Sequence, residues 1–204
     1  MFNLNHSYNK NLFWINKRIF DIFVSLLLLP LLAIASLTLL VFNKFFNLGE
    51  LFYIQERMGK NCEIFRAIKF RSMLSTTEIT RQYDDPIEIN RITPLGAIIR
   101  KTRIDELPQV LNVLKGEMSL IGPRPDYYEH ALKYLKEIEG YRERHIIRPG
   151  ITGLAQVKLG YIESLEAASN KTSIDNYYIK NIGYILEIKI IFSTILVIIK
   201  GLGK

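Results

Sequence analysis

The chain has 204 residues and a formal net charge of +7, a length that buries one core, so we expect one domain plus a membrane element. The single Cys62 excludes an internal disulfide, and the scattered histidines do not have the Cys/His spacing of a zinc site. The basic charge suits nucleic acid, an anionic lipid surface or a phosphorylated small molecule, without separating these partners.

The first predicted element is an apolar run over residues 19–42. Its about 24 residues form about 36 Å of helix, enough to cross a bilayer and too long for the apolar part of a cleavable signal peptide. Near its start, Lys17 and Arg18 stand one turn before Asp21, where we expect them to neutralise that carboxylate at the lipid headgroups.

Pro30 lies near the centre of this run, with Ser25 one turn ahead. Proline removes a backbone donor and bends or breaks a helix. A straight helix would place the rest of the chain across the membrane from Lys17. A helix broken at Pro30 would re-enter and leave both of its ends on one face, and a buried core helix is the third alternative.

A β-hairpin is predicted next, with strands at residues 51–54 and 63–70 and a turn at 55–61. The polar residues 76–90 indicate a loop or mobile helix. Thr93 is the expected N-cap of a short helix that has Pro94 at its first position and runs to about Arg103.

Asp105 occupies the N-cap position of a second predicted helix, residues 106–115, which ends at Gly116. Capping is therefore the structural alternative to any chemical role of Asp105. Further helices are predicted at residues 129–144 and within 175–200, with a tight loop at 148–153 between them. The last helix carries an apolar stripe that fits either a membrane interface or an ordinary core.

The adjacent carboxylates Asp105 and Glu106 lie among cations in the sequence. Arginine binds phosphate with two parallel hydrogen bonds, and the prolines beside Arg124 restrict the loop that carries it. The candidate phosphate-binding cations are Lys69, Arg71, Arg100 and Arg124. The alternative for each cation is a solvated surface charge.

Asp105 is the candidate covalent nucleophile, since carboxylates form acyl phosphates in some phosphoryl-transfer enzymes. Glu106 is the candidate base or Mg²⁺ ligand. Hard divalent cations favour carboxylate and phosphate oxygens, so a Mg²⁺ cofactor held by Asp105 and Glu106 is expected.

Ordered motifs along nearly the whole chain resemble those of the bacterial sugar transferases, also called monotopic phosphoglycosyl transferases. The motifs are KRIFD at residues 17–21, QERMG at 55–59, KFRSM at 69–73, RITPLG at 91–96, DELPQ at 105–109, LNVLKGEMSLIGPRP at 111–125, PGITGLAQV at 149–157 and DNYY at 175–178. The segment from Asp105 to Pro125 is the most specific of them.

The resemblance implies transfer of a sugar 1-phosphate from a UDP-sugar to polyprenol (undecaprenyl) phosphate, with release of UMP. It implies a phosphosugar–Asp105 intermediate and a role for Glu106 with Mg²⁺. Lys69, Arg100 and Arg124 match active-site cations of the family, and Asp175 matches a late acidic residue that we expect at the substrate.

The resemblance also implies a fold. We expect a mixed α/β, mostly helical chain, with a re-entrant membrane helix broken at Ser25 and Pro30 in residues 1–48. Residues 49–204 would form a compact cytosolic catalytic domain with a small β-hairpin and interfacial amphipathic helices. Such a protein sits monotopically in the bacterial inner membrane with its catalytic domain on the cytoplasmic face. The chain resembles a minimal catalytic unit of this family.

Ser72 stands where the family often has Thr, and Arg103-Ile104 replaces a commoner Ser-Leu, changes that bear on sugar or nucleotide preference. Two other classes of function compete with the transferase. A membrane-anchored binding protein would bind the nucleotide without releasing UMP. A nucleic-acid-binding protein is disfavoured by the long apolar run and by the lack of a recognisable nucleic-acid motif.

Overall fold

The computed structural model describes residues 5–47, 49–74, 89–159 and 165–200. Its helices are α1 (Asn5–Phe46), α2 (Pro94–Lys101), α3 (Val110–Lys115), α4 (Tyr128–Glu137), α5 (Leu154–Leu159), α6 (Leu165–Lys180) and α7 (Tyr184–Ile199). Its strands are β1 (Phe52–Met58), β2 (Ile64–Phe70), β3 (Ser119–Ile121) and β4 (Gly150–Thr152). The predicted mostly helical α/β fold is confirmed. Most of the predicted loop at 76–90 and the surroundings of Gly160 lie outside the described residues.

The predicted hairpin is present, with β1 and β2 antiparallel and Phe52 opposite Phe70. Its predicted turn is too long, because Gln55 and Met58 belong to β1 and only residues 59–63 connect the strands. The polar residues 55–57 continue the strand because inward and outward side chains alternate along it. The chain reverses where Asn61 adopts a left-handed conformation, with φ of 56°.

The Thr93 cap is confirmed: its Oγ1 accepts a hydrogen bond from the Gly96 N–H at 2.9 Å. The predicted cap at Asp105 is wrong. Residues Ile104–Gln109 form a 3₁₀ helix, and α3 begins only at Val110. Pro108 lies inside this 3₁₀ segment and lacks the N–H that a regular α-helix would use.

Two predicted helices differ in extent from the observed ones. The helix expected at residues 129–144 ends as α4 at Glu137, and a separate 3₁₀ turn, Arg142–His145, follows Gly140, whose φ is +76°. The apolar C-terminal stretch is divided between α6 and α7. On α7 the large apolar side chains mostly face outward. This favours a helix at a membrane interface over a core helix.

A short parallel pair joins two of the sequence motifs. Strand β3 pairs with β4, with Ser119 opposite Gly150. A Cβ atom on Gly150 would lie 2.1 Å from the backbone N of Gly122, so the two backbones approach more closely than side chains allow. The loop 122–125 is therefore fixed against the loop 149–153.

Helix α1 packs one side along the rest of the chain. Leu32 and Leu39 share a buried cluster with Phe70, Ile99 and Val110. The opposite side exposes large apolar side chains: Leu12, Ile15, Ile19, Phe20, Phe23, Leu26, Leu27, Leu31, Ile34, Leu37, Leu40, Val41, Phe42, Phe45 and Phe46. Among the described residues, the segment Asn11–Phe46, whose most apolar 18-residue window has a mean hydropathy of 2.6, is the one helix long and apolar enough to cross a membrane.

The predicted long apolar helix is confirmed, and it passes through Pro30 as one helix. Ser25 is fully buried, and its Oγ has no hydrogen-bond partner among the described residues. The re-entrant break at these residues stays a prediction.

The expected neutralisation of Asp21 by its own helix differs from what is observed. The Asp21 carboxylate accepts a hydrogen bond from the backbone N–H of Leu120 at 3.1 Å. Lys17 instead pairs with Glu187 of α7 at 2.6 Å, and Arg18 donates to the carbonyls of Val113 and Leu114. The charged start of α1 is thus attached to the body of the protein.

Candidate active site

Glu106 is the centre of a cluster of cations. Its Oε1 accepts hydrogen bonds from Lys69 Nζ at 2.9 Å and from Arg124 Nη2 at 2.5 Å, and Arg103 Nη1 lies 3.7 Å from its Oε2. Lys69 comes from the end of β2 and Arg124 from the loop after β3. Burial would raise the pKa of Glu106, but Arg124 and Lys69 together hold this pKa well below its usual value. Glu106 is therefore a fixed anion.

Asp105 is the other member of the pair and is in a different environment. It is 9% exposed, and within the described part of the chain no side chain or backbone group donates a hydrogen bond to its carboxylate. Burial raises the pKa of Asp105 and the charge of Glu106 adds to this, while Lys69, Arg100 and Arg124 act in the opposite direction. Asp105 is thus the more basic carboxylate of the pair, and the described cations act on it by charge without donating a hydrogen bond to it.

Arg100 belongs to the same group of charges. It lies in the last turn of α2, is half-buried, and its Nη1 is 3.5 Å from Met73 Sδ. Its positive charge lowers the pKa of Asp105. The structure thus brings together Lys69, Arg100 and Arg124 around the carboxylate pair, three of the four cations predicted to bind phosphate.

Arg71, the fourth predicted cation, is engaged elsewhere. Its Nε donates to the carbonyl of Glu50 at 2.7 Å, and its Nη2 donates to the carbonyl of Asn47. In return, the Asn47 amide donates to the Arg71 carbonyl at 2.9 Å. Arg71 therefore holds the chain that follows α1, and its predicted contact with substrate stays a prediction.

Asp175, the predicted late acidic residue, is also not beside the pair. It lies on α6, is 1% exposed, and its Oδ2 accepts hydrogen bonds from Arg144 Nε at 3.0 Å and Nη2 at 2.7 Å. Arg144 also donates to the backbone carbonyl of Arg124 at 2.7 Å. Asp175 is thus connected to the site through Arg144.

Sequence reasoning missed two arginines behind the site, the half-buried Arg57 and the buried Arg144. Arg57 donates to the carbonyl of Pro125, and burial, with the nearby charge of Arg124, lowers its pKa to about 10. The QERMG motif is the sequence signal for Arg57, although its polar residues favour a turn. Arg144 lies at the end of the predicted helix 129–144, where nothing local distinguishes it from its charged neighbours.

The carboxylate pair fits a Mg²⁺ ion that is partly ligated by substrate. Among the described residues, no group of three or more His, Cys, Asp or Glu side chains is arranged to hold a metal ion. However, the buried Oε2 of Glu106 accepts no hydrogen bond from the described part of the chain, although Arg103 Nη1 lies 3.7 Å away, and Asp105 is next to it. Mg²⁺ commonly binds one or two carboxylates and takes its other ligands from phosphates and water. Asp105 and Glu106 would hold it.

A family model described as bacterial sugar transferase matches residues 12–201. The chain is 42% identical over 187 residues to the UDP-N-acetylgalactosamine-undecaprenyl-phosphate N-acetylgalactosaminephosphotransferase of Aeromonas hydrophila, covering 92% of this chain and 44% of that protein. It is 36% identical over 185 residues to the UDP-glucose:undecaprenyl-phosphate glucose-1-phosphate transferase of Escherichia coli (strain K12), covering 88% of this chain and 39% of that protein.

A shorter relative matches along most of both chains. The exopolysaccharide production protein PSS of Rhizobium leguminosarum bv. phaseoli is 38% identical over 189 residues, which cover 88% of this chain and 92% of that protein. By contrast, this chain spans less than half the length of the Aeromonas and Escherichia relatives.

Proposed function

The chain belongs to the bacterial sugar transferase family, and we propose that it transfers a sugar 1-phosphate from a UDP-sugar to polyprenol phosphate, with release of UMP. Two longer relatives are named for transfers of this kind, from UDP-sugars to undecaprenyl phosphate. The observation that carries the proposal is the contrast within the pair: Lys69 and Arg124 donate hydrogen bonds to Glu106, whereas no described residue donates one to the carboxylate of Asp105.

In the proposed first step, an Asp105 oxygen attacks the phosphorus that carries the sugar. The bond from this phosphorus to the oxygen that bridges the two phosphates breaks, UMP leaves with that oxygen, and a phosphosugar–Asp105 acyl phosphate forms. Lys69, Arg100 and Arg124 stabilise the negative charge of the transferring and leaving groups. This requires Asp105 to be ionised. Burial and the charge of Glu106 raise its pKa and oppose ionisation, and the charges of Lys69, Arg100 and Arg124 offset part of this effect.

In the second step, a phosphate oxygen of polyprenol phosphate attacks the same phosphorus. The bond to Asp105 breaks, the carboxylate is restored, and the product is a polyprenol diphosphate that carries the sugar. A Mg²⁺ bound at Asp105 and Glu106 would neutralise phosphate charge. Glu106 is unsuited to be the nucleophile because Lys69 and Arg124 hold its Oε1 and lower its basicity.

A lipid acceptor requires a membrane position, and the contacts of α1 support a monotopic one. Near its start, Lys17 pairs with Glu187, and just after its end Asn47 hydrogen-bonds with Arg71. The same folded body thus holds both ends of α1. A straight crossing would separate these ends by the bilayer, so we infer that α1 re-enters and leaves on the cytoplasmic face of the inner membrane.

Pro30 supplies the bend that re-entry requires, because it cannot donate a hydrogen bond to the carbonyl of Leu26. The outward apolar face of α7 would lie at the same membrane surface. Its exposed side chains include Tyr184, Ile185, Ile188, Phe192, Ile195, Leu196 and Ile199. Together, both elements would hold the body at the membrane surface, where a lipid phosphate meets a soluble nucleotide.

The test is UMP release by the purified chain in nanodiscs with Mg²⁺, polyprenol phosphate and a panel of UDP-sugars. Wild type should release UMP from one donor, and Asp105→Asn should lose about 10³-fold or more because the nucleophile is gone. Glu106→Gln is the matched control: it also removes one charge, but we expect it to retain formation of a phosphosugar adduct, detected by intact mass. An adduct in Asp105→Asn, or UDP-sugar binding without UMP release in wild type, would contradict the proposal.

A further inference from the structure

The loop that carries Arg124 accepts hydrogen bonds from two buried residues and one half-buried residue behind it. Three successive backbone carbonyls each accept a hydrogen bond: that of Arg124 from Arg144 Nη2 at 2.7 Å, that of Pro125 from Arg57 Nη1, and that of Asp126 from the Met58 N–H at 3.1 Å. Arg144 is 1% exposed and Met58 is fully buried. The backbone that presents the Arg124 guanidinium to Glu106 therefore has little freedom to move.

Arg144 is itself fixed by two carboxylates. Its Nε and Nη2 donate to Asp175 Oδ2 at 3.0 and 2.7 Å, and its Nη1 donates to Asp126 Oδ2. Asp126 also accepts hydrogen bonds from Lys171 Nζ at 2.5 Å and from the Tyr141 hydroxyl at 2.7 Å. The three guanidinium nitrogens of Arg144 thus all donate hydrogen bonds, to Asp175, to Asp126 and to the carbonyl of Arg124.

We propose that Arg144 is a positioning residue for the transfer, which sets Arg124 through its backbone carbonyl, and that Asp175 acts on the reaction only by orienting Arg144. This inference rests on the proposed function of the same site. It replaces the sequence-based expectation that Asp175 contacts the substrate.

The burial and the geometry of this network carry the inference. Both Arg144 and Asp175 are 1% exposed, so neither is accessible to a bound UDP-sugar. Arg124, in contrast, is in direct contact with Glu106. Arginine presents several donors in a rigid plane and so can serve two carboxylates and a carbonyl at once. A lysine ammonium at the same position cannot reach all three. The conservative change Arg144→Lys therefore keeps the charge but loses the orientation.

A double-mutant cycle on UDP binding tests the proposal, with UDP affinity measured by calorimetry in detergent for wild type, Arg144→Lys, Arg124→Ala and the double variant. Arg144→Lys alone should weaken UDP binding about three- to tenfold, the size of coupling seen between contacting residues. In the Arg124→Ala background it should change affinity less than about twofold, because its effect passes through Arg124. Lys69 and Arg100 remain in every variant, so binding stays measurable.

Asp175→Asn provides a second cycle that keeps the side-chain shape and is the variant to use if Arg144→Lys does not fold. Its effect on UDP affinity should likewise disappear in the Arg124→Ala background. The control is Lys17→Met, which breaks a buried ion pair away from the site. It should lower the thermal midpoint and leave UDP affinity unchanged.

Equal weakening by Arg144→Lys or Asp175→Asn with and without Arg124 would overturn the inference and leave the proposed function intact. The same holds if Lys17→Met weakens UDP binding as strongly, since loss of any buried charge would then suffice. A wild-type chain that binds no UDP would overturn both the inference and the proposed function.

Discussion

Two neighbouring carboxylates have opposite electrostatic environments. Glu106 is held ionised by Arg124 and Lys69, which overcome its burial, whereas burial raises the pKa of Asp105. Burial likewise lowers the pKa of Lys69 to about 8, although Glu106 favours its charged form. The pKa of Lys69, a residue that we propose to hold phosphate charge, is thus lowered towards physiological pH.

This titration predicts the pH dependence of kcat/KM, which reports groups of the free enzyme. Lys69 is charged below about pH 8 and neutral above it, so kcat/KM should fall as the pH rises through about 8. Lys69→Arg should move this fall to higher pH, because arginine stays protonated. As the pH is lowered, kcat/KM should fall at a pH higher than the usual pKa of an aspartate. The pKa of Asp105 is raised, and its protonated form cannot attack. An alkaline limb that is unchanged in Lys69→Arg would contradict the assignment.

At the scale of elements, the site depends on close backbone packing between β3 and β4. The parallel pair sets loop 122–125, which carries Arg124, against loop 149–153. The contact needs glycine at Gly150, because a Cβ there would lie 2.1 Å from the Gly122 N and 2.4 Å from the Thr152 O. These atoms are backbone and cannot rotate away.

Gly150→Ala should therefore lower the free energy of unfolding by about 1–3 kcal/mol, the usual cost of overpacking, and reduce UMP release by displacing Arg124. Gly183→Ala is the matched control, since a Cβ there would meet no atom within 4 Å. It should change the free energy of unfolding by less than about 0.5 kcal/mol. Thermal unfolding in detergent compares the two, and equal stability of both variants would exclude the proposed close contact.

At the scale of the whole molecule, α1 packs as part of the folded body and not as a separate anchor. Its Leu32 and Leu39 share a core cluster with Phe70, and Lys17 reaches Glu187 on α7. In the topology that we propose, a body attached at both ends of α1 lies on one side of the bilayer. The proposed membrane topology and the position of the candidate site then depend on the same contacts.

Single cysteines introduced at Asn11 and at Lys60, in a Cys62→Ser background, test this topology. Asn11 lies near the start of α1 and Lys60 in the hairpin turn, and both are exposed. A membrane-impermeant maleimide should label both positions in inside-out vesicles and neither in intact spheroplasts. Labelling of Asn11→Cys from the outside, with Lys60→Cys labelled from the inside, would show that α1 crosses the membrane.

Some features of this protein could be predicted because they depend on neighbouring residues alone. The apolar helix, the Thr93 cap, the hairpin and the adjacency of Asp105 and Glu106 follow from local pattern and spacing. The 3₁₀ geometry at Asp105 could not be predicted, because an aspartate before an apolar run equally suits the N-cap of an α-helix.

The assignment of the cations was decided only by the tertiary structure. Lys69 and Arg71 are two positions apart, yet Lys69 meets Glu106 while Arg71 meets the carbonyls of Asn47 and Glu50. Strand β2 ends at Phe70, so strand alternation no longer sets the direction of the following side chain. Asp175 pairs with Arg144, 31 positions away, because the packing of α6 brings the two side chains together. The sequence by itself determined which charges the chain carries, and the packing of distant segments decided which charges meet, because ion pairs depend on distance in space and not on distance along the chain.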